Sequence, residues 1–103
     1  MLKINPNPQF TAEVPLSEPG KKKPTIVKMT FKYKNRKELI EFGERTKDKP
    51  VEEALEEILV GWEGIDAEFN QENMVMLVQN YLPAGLEILR AYHEELIVSR
   101  TKN

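Results

Sequence analysis

Cysteine is absent from this chain of 103 residues, so neither a disulfide framework nor a thiolate zinc site can be built from it. Histidine occurs once, at His93, and one imidazole without thiolates is a poor nucleus for a transition-metal site. His93 stands between Tyr92 and Glu94, Glu95, the setting of a surface or half-buried helix residue rather than of a catalytic base. The two serines, Ser17 and Ser99, lie in a turn segment and near the C-terminus, and neither sits in a Gly-x-Ser-x-Gly context. The five glycines are scattered singly, so no glycine-rich phosphate cradle exists. Asp66 and Glu68 match no calcium loop, and Glu52, Glu53, Glu56 and Glu57 read as a solubilising helix face. No apolar run is long enough for a signal peptide or a membrane span. These absences point away from an enzyme, a metal, a cofactor or a membrane protein. A reducing, cytoplasmic setting is the simplest fit.

What is present describes a folded domain. The chain is 40% hydrophobic, too apolar for the disordered class. Residues 1–103 form one domain in this reading, since either half alone would be too small for its own core. The charge is unevenly spread: residues 1–50 carry 12 Lys and Arg against 6 Asp and Glu, and residues 51–103 carry 3 against 11. Such asymmetry marks either a binding face or basic strands packed beside acidic helices.

The pattern along the chain is α+β: an N-terminal antiparallel β-hairpin followed by about four α-helices. Residues 1–8 hold two Asn-Pro pairs and read as an extended leader. Residues 9–33 read as the hairpin. In its first strand Phe10, Ala12, Val14 and Leu16 share a face, and Pro15 marks an edge strand or a strand end. Residues 17–24 form the turn, and Val27, Met29, Phe31 and Tyr33 form the apolar face of the second strand. Residues 35–100 read as helical. Asn35 and Glu38 resemble a capping box, with Leu39, Ile40 and Phe42 as the buried stripe behind them. Pro50 opens a second helix, where Val51, Leu55, Ile58 and Leu59 share a face. Gly61 reads as its C-terminal cap, and Gly61-Trp62-Glu63-Gly64-Ile65-Asp66 as the turn that breaks it. Asn70 caps a third helix with Met74, Leu77, Val78 and Tyr81. Pro83 ends or restarts it, and Leu86, Leu89, Tyr92, Leu96 and Arg100 recur at helical spacing through the last.

Two functional readings remain. Lys21, Lys22, Lys23, Lys28, Lys32, Lys34, Arg36 and Lys37 could line one face of the sheet as a basic stripe for nucleic acid. No aromatic alternates with those lysines to stack bases, and the pI of about 5.5 is low for a nucleic-acid-binding domain. Protein binding fits better. Met74-Val75-Met76-Leu77-Val78 is apolar almost all round, and the last helix has more than one apolar stripe. Helices of that kind are buried, bind a partner or self-associate. Methionine suits adaptable recognition, and also fills gaps in a core.

The ordered features of the chain resemble the tail assembly chaperones of tailed phages and prophages. They begin with Asn5-Pro6-Asn7-Pro8, Phe10-x-Ala12-x-Val14 and Pro19-Gly20. Val27-x-Met29-x-Phe31-Lys32-Tyr33 and Arg36-x-Glu38-Leu39 follow, then Gly61-Trp62-x-Gly64-Ile65-Asp66 with Phe69 and Glu72-Asn73. Leu77, Asn80-Tyr81, Pro83-Ala84, Ala91-Tyr92 and Arg100-x-Lys102-Asn103 complete the set. Leu82 departs from the pattern, which runs Tyr-Pro directly, and bears on where the last helix starts. The resemblance implies a non-enzymatic protein that coats the tape measure protein, keeps it soluble and helps recruit tail tube subunits. In such phages a translational frameshift often makes a longer form. The client surface is then expected on the third and fourth helices, at Met74, Leu77, Val78, Tyr81, Leu86, Leu89 and Tyr92, some of which must be core. Trp62 is expected as a structural anchor, with an interface hot spot as the other role open to it.

Overall fold

The computed structural model describes residues 1–98. Two strands, β1 (Gln9–Leu16) and β2 (Thr25–Lys32), form the antiparallel hairpin, in register from Gln9 opposite Lys32 to Leu16 opposite Thr25. Strict alternation produces this register, because a one-residue slip would turn Ala12, Val14 and Leu16 out to water. Val27, Met29 and Phe31 answer them across the ladder, all buried. Gly20, at φ 81°, supplies the left-handed turn that brings the chain back. β1 is an edge of the sheet, which accommodates Pro15 within it. Tyr33 falls just past β2 and is 38% exposed, so it leaves the apolar face that the alternation assigned to it.

Four helices follow: α1 (Arg36–Thr46), α2 (Val51–Ile58), α3 (Gln71–Asn80) and α4 (Ala84–Ile97). The capping box of α1 is complete: Glu38 N–H donates to the Asn35 side chain at 2.9 Å, and Asn35 N–H donates to the Glu38 carboxylate at 2.9 Å. Of the stripe expected on α1, Phe42 is buried and Leu39 half-buried, but Ile40 is 61% exposed, because α1 contacts the core along one narrow line. Asn70 caps α3 by accepting from Asn73 N–H at 2.7 Å. Pro83 precedes α4 directly, and the corner is closed by Ala84 N–H donating to the Tyr81 carbonyl. The continuation of the last helix to Arg100, and the closing Arg100-x-Lys102-Asn103, lie outside the described residues.

One element departs from the helix-turn reading of residues 59–66. Leu59–Glu63 is a third strand, β3, pairing antiparallel with β2 in the order β1-β2-β3. Helix α2 runs straight into it, capped by Leu59 rather than Gly61. Gly61 lies opposite Thr30 within the strand, and the left-handed turn is made by Gly64 at φ 93°. The alternation is hidden because Val60 is an extra residue: Trp62 pairs with Met29 and Leu59 with Phe31, leaving a bulge between them.

The helices cover one face of the sheet. Tyr92 of α4 lies against Phe10, Phe31 and Phe42, with ring centroids 5.9, 5.1 and 6.3 Å away. Its hydroxyl donates to the Lys32 carbonyl at 2.8 Å. Such ring pairs add about 0.5–1.5 kcal/mol each beyond the area they bury. α4 approaches α2 at Gly85, where a Cβ would stand 2.7 Å from Val51 Cγ1. The other end of β1 is tied to α4 by Ser17, whose backbone N–H and hydroxyl both donate to the Glu87 carboxylate. No helix among the described residues is long and apolar enough to cross a membrane.

Candidate functional site

Helix α3 has a core face and a groove face. Met74 and Val78, four residues apart, enter the core. Asn73, Met76, Leu77 and Asn80 recur at offsets of three, four and seven, and with Tyr81 they form a second face. That face walls a groove of about 420 Å³. The opposite wall is the turn after β3 together with the end of the hairpin, through Trp62, Ile65, Leu16 and Val27.

The turn is rigidly built. Trp62 Nε1–H donates to the Ala67 carbonyl at 2.8 Å, and the Trp62 ring meets Phe69 edge-on at 5.1 Å. Asn73 Nδ2 donates to the Glu68 carbonyl at 2.8 Å, fastening the turn to the first turn of α3. A Cβ on Gly64 would stand 3.6 Å from Val27 Cγ1, so the loop lies close to the hairpin. Met76 is 51% exposed at the lip. A flexible thioether beside a fixed indole gives a surface that is firm on one side and adaptable on the other.

The residues expected to bind a partner separate into three places. Met74, Val78 and Tyr92 are buried in the core, Tyr92 completely. Leu77 and Tyr81 are half-buried and line the groove with Trp62. Leu86 is 67% exposed and Leu89 half-buried, three residues apart on α4 and away from the groove lining. Ile65, Met76, Asn73 and Asn80 also line the groove and are not among the seven positions expected to bind a partner. The offsets within α3 were a usable signal for the last three, whereas Ile65 needs the fold of the turn.

The groove lining carries two carboxylates, one of them paired with a lysine of the hairpin turn. Residues 51–89 contain nine carboxylates and not one Lys or Arg. Glu18 and Asp66 are the only ionisable side chains in the lining apart from the Tyr81 phenol, among the described residues. Glu18 accepts hydrogen bonds from Thr25 and from Lys21, which hold its carboxyl below the usual range and keep it ionised. Asp66 has no ion-pair partner among the described residues.

The basic stripe is broken up by comparison. Lys28 lies in register between Glu13 of β1 and Glu63 of β3 on the open face of the sheet. Thr11 and Thr30 occupy the next row, with hydroxyls 3.2 Å apart, and the strand residues of that face include no aromatic. Lys34 is ion-paired with Glu57 at 2.6 Å and lies 5.2 Å from the centre of the Phe42 ring. Arg45 takes the same carboxylate in a two-pronged contact at 2.6 and 3.0 Å. These hydrogen bonds, Arg45 first, bring the Glu57 pKa down to about 2. Glu57 therefore joins α1 and α2 and is not simply part of a solvated face.

A family model described as "Phage tail assembly chaperone" matches residues 1–103, the full length of the chain. No curated protein and no solved structure matches it significantly.

Proposed function

The chain belongs to the phage tail assembly chaperone family, and from that premise we propose that it binds the tape measure protein and keeps it soluble while tail tube subunits are recruited around it. The role is non-enzymatic and is carried out in the host cytoplasm. The observation that carries this reading is the open apolar groove beside α3, formed by Trp62, Ile65, Met76, Leu77 and Tyr81. A long helical client presents repeated apolar faces that aggregate when unshielded, and a groove between a helix and a packed turn accepts side chains from such faces. Leu82 and Leu86, 88% and 67% exposed, add a second apolar surface at the corner between α3 and α4. It suits contact with the tube protein or with another copy of the chain.

The test is co-expression with the tape measure protein of the same phage, followed by size-exclusion chromatography of the soluble fraction. The client is expected in the soluble fraction only when this chain is present, and the two should co-elute. A client that is soluble alone and never co-elutes contradicts the reading.

A further inference from the structure

The leader ahead of β1 carries an apolar segment with no cover of its own. Leu2 and Ile4 are 97% and 94% exposed, above every large hydrophobic side chain described beyond the leader. They alternate about Lys3, so in an extended backbone they share one side and Lys3 takes the other. Pro6 and Pro8 follow and stiffen the stretch that joins this segment to the hairpin. We infer that Leu2 and Ile4 of one copy of the chain seat in the groove beside α3 of a second copy.

The seat fits the segment. A volume of about 420 Å³ admits a few large side chains, and Trp62, Ile65, Met76 and Leu77 give them an apolar lining. The flexible Met76 side chain at the lip adjusts to what enters. Asp66 is exposed, lines the groove and has no ion-pair partner among the described residues. Lys3 therefore meets a free carboxylate at the rim as Leu2 and Ile4 go in. In the free leader the Lys3 ammonium donates to the Asn7 side chain at 2.6 Å, an exposed bond that this pair replaces.

Reach makes the second copy necessary. Tyr33 N–H donates to the Pro8 carbonyl at 2.8 Å, which pins the leader at the end of the hairpin where Gln9 faces Lys32. Leu16 and Thr25, at the other end, line the groove, and Gln9 to Leu16 spans about 23 Å at 3.3 Å per residue. From Pro8 to Ile4 the chain spans at most about 14 Å. Ile4 thus falls short of that end of its own groove, whereas a second copy can be placed to receive it. The contact joins two different surfaces, leader and groove, and is head-to-tail. So short a segment binds weakly, and a client that offers more anchors displaces it, a consequence that rests on the chaperone reading.

Trp62 is the only tryptophan and lines the groove, so its emission reports occupancy directly. The experiment follows sedimentation and Trp62 emission of the full chain as its concentration is raised. Association is expected, with a shift in emission. Leu2→Ser combined with Ile4→Ser alters exposed side chains, so the melting temperature should hold while association weakens by at least about tenfold. Met76→Glu puts a charge at the exposed lip and should weaken it similarly. Each variant alone should stay monomeric at a concentration where an equimolar mixture of the two forms pairs, the leader from one and the groove from the other. A wild-type chain that stays monomeric throughout, or variants that fail to pair when mixed, overturns the inference. So does a leader variant that associates as well as wild type, which would assign the contact to another surface such as the corner at Leu82 and Leu86. Client co-elution separates the two claims. If the chain self-associates through its leader but never holds the client, the chaperone reading falls and this contact stands. If it holds the client but never self-associates, this contact falls and the chaperone reading stands.

Discussion

Tyr92 and Glu57 each tie together several parts of the fold. Tyr92 joins α4 to both strands of the hairpin and to α1, by its ring and by the bond from its hydroxyl to the Lys32 carbonyl. Burial raises its pKa well above the ordinary phenol value, with the charges of Glu57 and Glu38 adding to the effect. Tyr92→Phe keeps the ring and removes one part-buried hydrogen bond, so it should cost about 1 kcal/mol, read as a fall in melting temperature of roughly 4–8 °C. Glu57 acts through charge. Its pKa lies near 2 when folded against 4.5 when free, so its contribution is complete above about pH 4.5 and fades as pH falls toward 2. Arg45 is 55% exposed, and solvent screening reduces the expected contribution to about 1–2 kcal/mol. Glu57→Gln should therefore lower stability at neutral pH and flatten its decline between pH 5 and pH 2, measured by denaturant titration across that range.

At the scale of elements, Gly85 decides how closely α4 can lie on α2. Alanine is a better helix former than glycine, yet at Gly85, the second residue of α4, a Cβ would stand 2.7 Å from Val51 Cγ1. Overpacking at that contact outweighs propensity, so Gly85→Ala should destabilise by about 1–2 kcal/mol in thermal or denaturant melts. The same comparison of local preference with packing explains what was legible in the sequence. The hairpin was readable because Ala12, Val14, Leu16, Val27, Met29 and Phe31 alternate without interruption. The caps at Asn35 and Asn70 were readable because their side-chain chemistry is local. β3 was not, because the bulge at Val60 breaks the period and two glycines near Trp62 imitate a helix stop. The groove was half legible. Leu77 and Tyr81 followed from helical spacing, but the division of α3 between a core face and a groove face depends on where the turn after β3 comes to rest.

Across the whole molecule, the distribution of charge separates the two ways this chain could meet a polyanion or a polypeptide. The basic residues of the first half are partly neutralised, Lys21 by Glu18 and Lys34 by Glu57, and Lys28 stands in register between two glutamates. Random duplex DNA should therefore give at most a weak gel shift at low salt that disappears at moderate salt, as expected for charge alone. A shift persisting at moderate salt would favour a nucleic-acid role. The groove between α3 and the turn after β3 is mostly apolar in its lining, which suits an amphipathic client. The most direct measurement is hydrogen exchange of this chain alone and in complex with the tape measure protein. Added protection is expected along α3 and in the turn that holds Trp62 and Ile65. Protection confined to the lysine-bearing turn and the open face of the sheet would contradict the account.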